Sequence, residues 1–116
     1  MTEGQQPRSP RVARSVIARY RRAESGQHSW LVSPLRDLSG KGARFLSERP
    51  AEVGWVLEMQ LVLPNAPQPV SVPARVVWTR PAQSGLLEVG VAFAPHDPAI
   101  QQAIDAAVAA FLSKPH

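Results

Sequence analysis

The sequence predicts a mainly β fold, a barrel or sandwich of short antiparallel strands followed by one C-terminal helix. Three observations carry this reading. Apolar and polar residues alternate in several separate runs, the period of a strand with one buried face. Twelve prolines and seven glycines punctuate 116 residues, which favours many short elements over a long-helix bundle. Near the C-terminus the apolar spacing changes from two to that of a helix.

Taken in order, residues 1–7 read as a flexible lead-in, and 8–113 as one domain with a single modest core. "VARSVIARYRR", Val12 to Arg22, reads as a strand with one polar face. The turn "AESGQ" leads to a strand through "SWLVSPLRD", in which Pro34 marks an edge or a bulge. The segment "DLSGKG" reads as the next turn, and "ARFLS" as a short strand after it. In "WVLEMQLVL" the residues Trp55, Leu57, Met59, Leu61 and Leu63 share one face. "VSVPARVVWTR" puts Val70, Val72, Ala74, Val76 and Trp78 on one face, and "LLEVGVAFA" does so for Leu87, Val89, Val91 and Phe93. Trp30, Trp55 and Trp78 are accordingly expected to pack in the core or barrel. The helix, about 98–113, carries a stripe of Ile100, Ala103, Ile104, Ala107, Val108, Phe111 and Leu112. Asp97 supplies a capping acceptor, Pro98 suits the first helical position, and Lys114–Pro115 mark the stop.

Composition narrows the function. There is no cysteine, so disulfides, thiolate metal sites and a cysteine nucleophile are excluded. No apolar run approaches the roughly 20 residues of a membrane helix, and the charged N-terminus is followed by no signal-type apolar stretch. These features predict a cytoplasmic protein without membrane insertion. The net charge of +4 is concentrated: residues 1–22 hold six arginines (8, 11, 14, 19, 21 and 22) against Glu3 alone, whereas the remainder has seven basic and eight acidic residues. A planar guanidinium fork suits phosphate and base edges, although an all-arginine arm also fits a solvated segment. His28, His96 and the terminal His116 lie far apart without metal-ligand spacing, and His28 and His96, in connections, read as solvated. No serine sits in a nucleophile elbow and no glycine pattern forms a phosphate loop. An enzyme is not expected, nor a metal or cofactor.

"DLSGKG" is more polar than a connection requires. Read structurally, it is a hairpin whose Asp and Ser bond their own backbone and whose glycines take positive φ. Read together with the upstream arginines, it is half of a binding site. With "VLEMQLVLP", "ARVVW", "VGVAF" and the terminal amphipathic helix, the chain from Arg8 to Leu112 resembles the PilZ domain family, bacterial receptors for cyclic di-GMP. Family members have an RxxxR motif before the first strand and a (D/N)xSxxG motif after the second. Asp37, Ser39 and Gly42 supply the second motif intact.

The first motif departs from the family. With Arg11 as the second arginine, the first position falls on Pro7, and Arg8 stands one place later in "RSPR". Loss of one charged bidentate contact would weaken binding roughly ten- to a hundredfold.

The resemblance implies a six-stranded antiparallel barrel with a C-terminal helix. It also implies a non-enzymatic receptor or adaptor whose arm changes conformation on binding cyclic di-GMP and signals to a protein partner, as in motility. Arg8 and Arg11 would take phosphate and guanine, with Asp37, Ser39 and Gly42 opposite them and Arg14 as a secondary candidate. Arginine matches guanine O6 and N7 or a phosphate, a carboxylate accepts from the Watson–Crick edge, and glycine allows close backbone approach. One alternative is a PilZ-like adaptor that has lost the ligand with its RxxxR motif and acts by protein contact. The other is a small nucleic-acid-binding barrel using the basic arm on phosphates, against which the near-neutral remainder of the chain counts.

Overall fold

The strand order expected from the alternation closes on itself. In the computed structural model, the described residues are 11–12, 16–23, 29–63 and 66–113, with the backbone alone described at 11–12 and 111–113. The strands are β1 (Arg11–Val12), β2 (Ile17–Arg22), β3 (Leu31–Ser39), β4 (Gly42–Ser47), β5 (Val56–Val62), β6 (Val70–Pro81) and β7 (Leu87–Phe93), followed by helix α1 (Pro98–Ser113). All pairings are antiparallel. They run β3–β2–β5–β6–β7–β4, and β4 returns to β3, which makes a closed six-stranded barrel. Closure leaves neither edge of the sheet open.

The core follows the period-two reading closely. Ala18 and Tyr20, Phe45, Leu57, Met59 and Leu61, Val72, Ala74 and Val76, and Val89 and Val91 all point inward and are buried. Ala18 and Ala74 are fully buried, Met59 and Phe45 are each about 1% exposed, and the Phe45 ring packs on Tyr20 at 4.5 Å between centroids. Ile104, Ala107 and Val108 of α1 complete the core. The helix contacts β1, β3 and β6, capping the barrel end near the β3–β4 hairpin. Its start is as predicted: Asp97 Oδ1 accepts from the Ala99 N–H at 2.8 Å, and Pro98 occupies the first helical position. The stripe residues Phe111 and Leu112 have side chains outside the description, as do Lys114 and Pro115 in full. No helix among the described residues is long and apolar enough to cross a membrane.

Four expectations need correction. The single strand expected from Val12 to Arg22 is two, β1 and β2, which pair with different parts of β3. β3 is not an edge, because it pairs with β2 on one side and β4 on the other; of the two alternatives at Pro34 it is the bulge that is present, as a register shift between Leu35 and Asp37. Pro34, which has no N–H to donate, stands opposite Ile17 of β2, and beside it Ser33 Oγ donates to the Leu46 carbonyl of β4 at 3.1 Å. Trp78 does not join the core face of β6. A register shift between Val76 and Trp78 turns it outward, 38% exposed. Nor is Trp30 a core residue: it lies beneath the guanidinium of Arg21, 4.2 Å from its ring centroid. Trp55 is partly buried against the core edge.

Candidate functional site

Two β-bulges build the site. Along β3, Ser33 and Leu35 face inward, and strict alternation would send Asp37 and Ser39 inward as well. The register shift between Leu35 and Asp37 reverses the alternation, so that Leu38 enters the core and Asp37 and Ser39 face the outer wall. The shift in β6 does the same for Trp78. Re-aiming side chains is what an extra residue in a strand accomplishes. The registers then align one row across four strands: Asp37 opposite Arg44, Arg44 opposite Gly90, and Gly90 opposite Trp78.

This row spans a surface depression of about 250 Å³, which Ser39 and Lys41 also line. Its floor is flat because Gly90 has no side chain. A Cβ there would stand 2.2 Å from Trp78 Cε2, so the indole lies directly over the glycine backbone. At one end Arg44 Nη2 meets Asp37 Oδ2 at 3.0 Å. Arg44 Nη1 donates to Glu88 Oε2 at 2.8 Å, and Arg80 Nε donates to Glu88 Oε1 at 3.0 Å. Glu88 is buried, and its carboxyl is held below its ordinary range, chiefly by the hydrogen bond from Arg80 and against the opposing effect of burial. Asp37, Arg44, Glu88 and Arg80 thus form one alternating charge chain along the wall.

The turn itself is shorter than the sequence implied. Asp37 and Ser39 belong to β3 and Gly42 to β4, leaving only Gly40 and Lys41 as the connection. Ser39 Oγ accepts from the amides of Lys41 and Gly42 at 3.1 and 3.3 Å, the local clamp expected of a serine in a turn. The glycines do not supply positive φ; among the described residues Gly54 and Gly85 do. Gly42 is required by space instead, since a Cβ would stand 2.1 Å from the Val91 carbonyl oxygen. The hairpin is tied to α1: Gln101 Nε2 donates to the Gly40 carbonyl at 2.8 Å and to Asp105 Oδ1 at 2.9 Å. His96, expected to be solvated, is half-buried and contacts Gln101 Oε1 at 2.7 Å and the Ala94 carbonyl.

Of the sequence-predicted residues, Asp37, Ser39 and Gly42 come together. Arg11 is brought beside them by backbone pairing, since β1 sets Arg11 opposite Ser39 and Val12 opposite Leu38. Arg8 and Arg14 lie outside the described residues, as does His28. Arg44, Gly90 and Trp78 were missed. Their signal was indirect, because only the bulges give Trp78 and Asp37 the same face. No cluster of His, Asp or Glu among the described residues has the makings of a metal site.

The remaining arginines of the basic segment are part of the barrel. Arg21 pairs with Glu58 at 2.7 Å and covers Trp30; Arg19 Nη2 donates to Gln60 Oε1 at 2.6 Å; Arg22 stacks 3.9 Å over Trp55. They stand on β2, with β5 as neighbour, and do not line the depression.

With this geometry established, comparison with known proteins is decisive. The family model described as the PilZ domain matches residues 5–110. The chain belongs to the PilZ domain family. Among solved structures it is similar to the Bacillus subtilis inhibitor of motility MotI/DgrA (TM-score 0.73, 14% identity, 96% of this chain and 53% of that one). It is also similar to K. pneumonia MrkH in a c-di-GMP complex (TM-score 0.74, 14% identity, 94% and 52%). A third is the PilZ domain of YcgR from Escherichia coli with c-di-GMP (TM-score 0.65, 14% identity, 91% of each chain). The chain therefore spans about half the length of MotI and MrkH. No curated protein sequence matches it. At these identities the structural likeness shows the PilZ fold.

Proposed function

We propose that this PilZ domain is a non-enzymatic receptor for cyclic di-GMP, acting as an adaptor or regulator. The observation that carries the reading is the row Asp37–Arg44–Gly90–Trp78, flanked by Ser39 and by the backbone of Arg11. A guanine needs an acceptor for its Watson–Crick edge, a flat surface and a stacking face. Asp37 offers the acceptor, and the Trp78 indole, which lies over the Gly90 backbone and is 38% exposed, offers the flat stacking face. The two phosphates call for guanidinium groups, which Arg8 and Arg11 supply from the arm, with Arg14 in reserve. Two of the similar structures contain c-di-GMP, which supports the same ligand here. The pairing of Arg11 with Ser39 supports a reading in which the arm meets the barrel beside the depression and closes over the ligand there. Closure of the arm then creates the surface that a protein partner reads, a ligand-driven conformational switch. Cytoplasmic location fits a ligand of this kind.

Calorimetric titration of the full chain with cyclic di-GMP tests the proposal. Saturable binding is expected at micromolar or lower concentration, and Asp37→Ala and Arg11→Ala each abolish the heat. A flat isotherm for the unaltered protein refutes receptor function. Pro7 favours a second reading, an adaptor that has lost the ligand and acts by protein contact alone, because it occupies the first arginine position of the family motif. The same titration on Pro7→Arg separates the two: heat appearing only in that variant identifies the ligand-free adaptor.

A further inference from the structure

We infer that the barrel mouth opposite α1 is a second ligand site, which takes a medium-chain carboxylate. The residues 48–55 cross this end of the barrel from β4 to β5 and leave beneath them a cavity of about 250 Å³. Its walls include Leu31, Phe45, Ala51 and Trp55, and the guanidinium-bearing residues Arg21, Arg22 and Arg49 are also in the lining. Barrel mouths are among the places where small apolar ligands bind. At ~30 Å³ per water-sized group, the space holds an apolar body of roughly eight heavy atoms.

The polar atoms within are already satisfied by one another. The Tyr20 hydroxyl donates to Ser47 Oγ at 3.1 Å, and Ser47 Oγ donates to the Arg49 carbonyl at 2.8 Å. Burial pushes the Tyr20 hydroxyl pKa up, which keeps it neutral. The inner wall therefore favours hydrocarbon over a polar ligand. The lining residues themselves include no carboxylate; Glu58 pairs with Arg21 at 2.7 Å, and Glu48 stands near enough to act on the Tyr20 hydroxyl. Arg22 lies flat on the Trp55 ring at 3.9 Å, which places a cation where the apolar wall ends, and Arg49 is exposed at the rim. A hydrocarbon body with a planar, singly charged carboxylate head matches both parts, because a carboxylate accepts the guanidinium fork. The site is at the other end of the barrel from the β3–β4 hairpin and requires nothing of the nucleotide.

The test is a titration of the full chain with octanoate, followed by amide ¹H–¹⁵N spectra, with octylammonium as the charge-reversed control. Saturable shifts are expected at Leu31, Ala51, Trp55 and Leu57, with none at the same concentration of octylammonium. Arg49→Glu, an exposed substitution, is expected to weaken octanoate about tenfold while the amides of Asp37 and Gly90 stay in place. Non-saturating shifts, equal shifts with octylammonium, or shifts centred on the outer surface around Ile17 and Val62 would overturn the inference. So would an Arg49→Glu variant that binds octanoate as the unaltered chain does.

Discussion

On the β2–β5 wall, Arg19, Arg21 and Arg22 lie over indole rings or against the solvent-facing side chains of Glu58 and Gln60. On the β3–β4–β7–β6 wall, Arg44 and Arg80 close on Glu88, whose side chain is only 9% exposed, and Arg44 also holds Asp37. Both walls combine arginine with tryptophan. They differ in what the cations face and in how much water screens them. Exposed pairs gain little from Coulomb attraction, whereas a buried carboxylate fixes its guanidiniums in place and with them the edge of the depression. Positive charge alone therefore does not mark the site; the buried acids do.

The comparison can be broken most severely at Gly42. Gly42→Ala drives a Cβ into the Val91 carbonyl, a backbone atom that cannot rotate away. The expected loss is about 3 kcal/mol, at the upper end of overpacking costs, read from the urea midpoint. On the same wall Trp78→Ala leaves the barrel folded but removes the stacking face. Cyclic di-GMP affinity is expected to fall roughly ten- to a hundredfold, measured by calorimetry.

Glu88→Gln sharpens the contrast through pH. The folded-state pKa of Glu88 lies below its ordinary value of 4.5, so its contribution to stability is complete above that value and is lost as pH falls through the lower folded one. The variant should melt several degrees lower at neutral pH, and the gap should close as the pH falls below the ordinary value. The smallest effect is expected on the other wall: Arg21→Gln should change stability by less than about 1 kcal/mol and leave nucleotide binding unaltered.

The strands were legible because period-two burial is local: Leu57, Met59, Leu61, Val89 and Val91 each report their face without reference to the rest of the chain. The helix was legible for the same reason, and Asp97–Pro98 marked its start. The second motif put Asp37, Ser39 and Gly42 in one neighbourhood, and the structure groups them. At Leu35/Asp37 the sequence left open whether Pro34 meant an edge or a bulge, and it hid the bulge at Val76/Trp78 altogether. The second reverses alternation without a compositional mark, so Trp78 read as core and Arg44 and Gly90 carried no visible role. The partners of the arginines were hidden as well, because Arg21 meets Glu58 and Trp30 only after the strands pair.

The tether from Gln101 to the Gly40 carbonyl has a mechanical consequence. It links the Gly40–Lys41 bend to the C-terminal helix, a rod some 24 Å long. Pushing the bend by the width of one hydrogen bond must either snap that link or tilt the rod. In the second case the displacement grows along the helix with distance from the link.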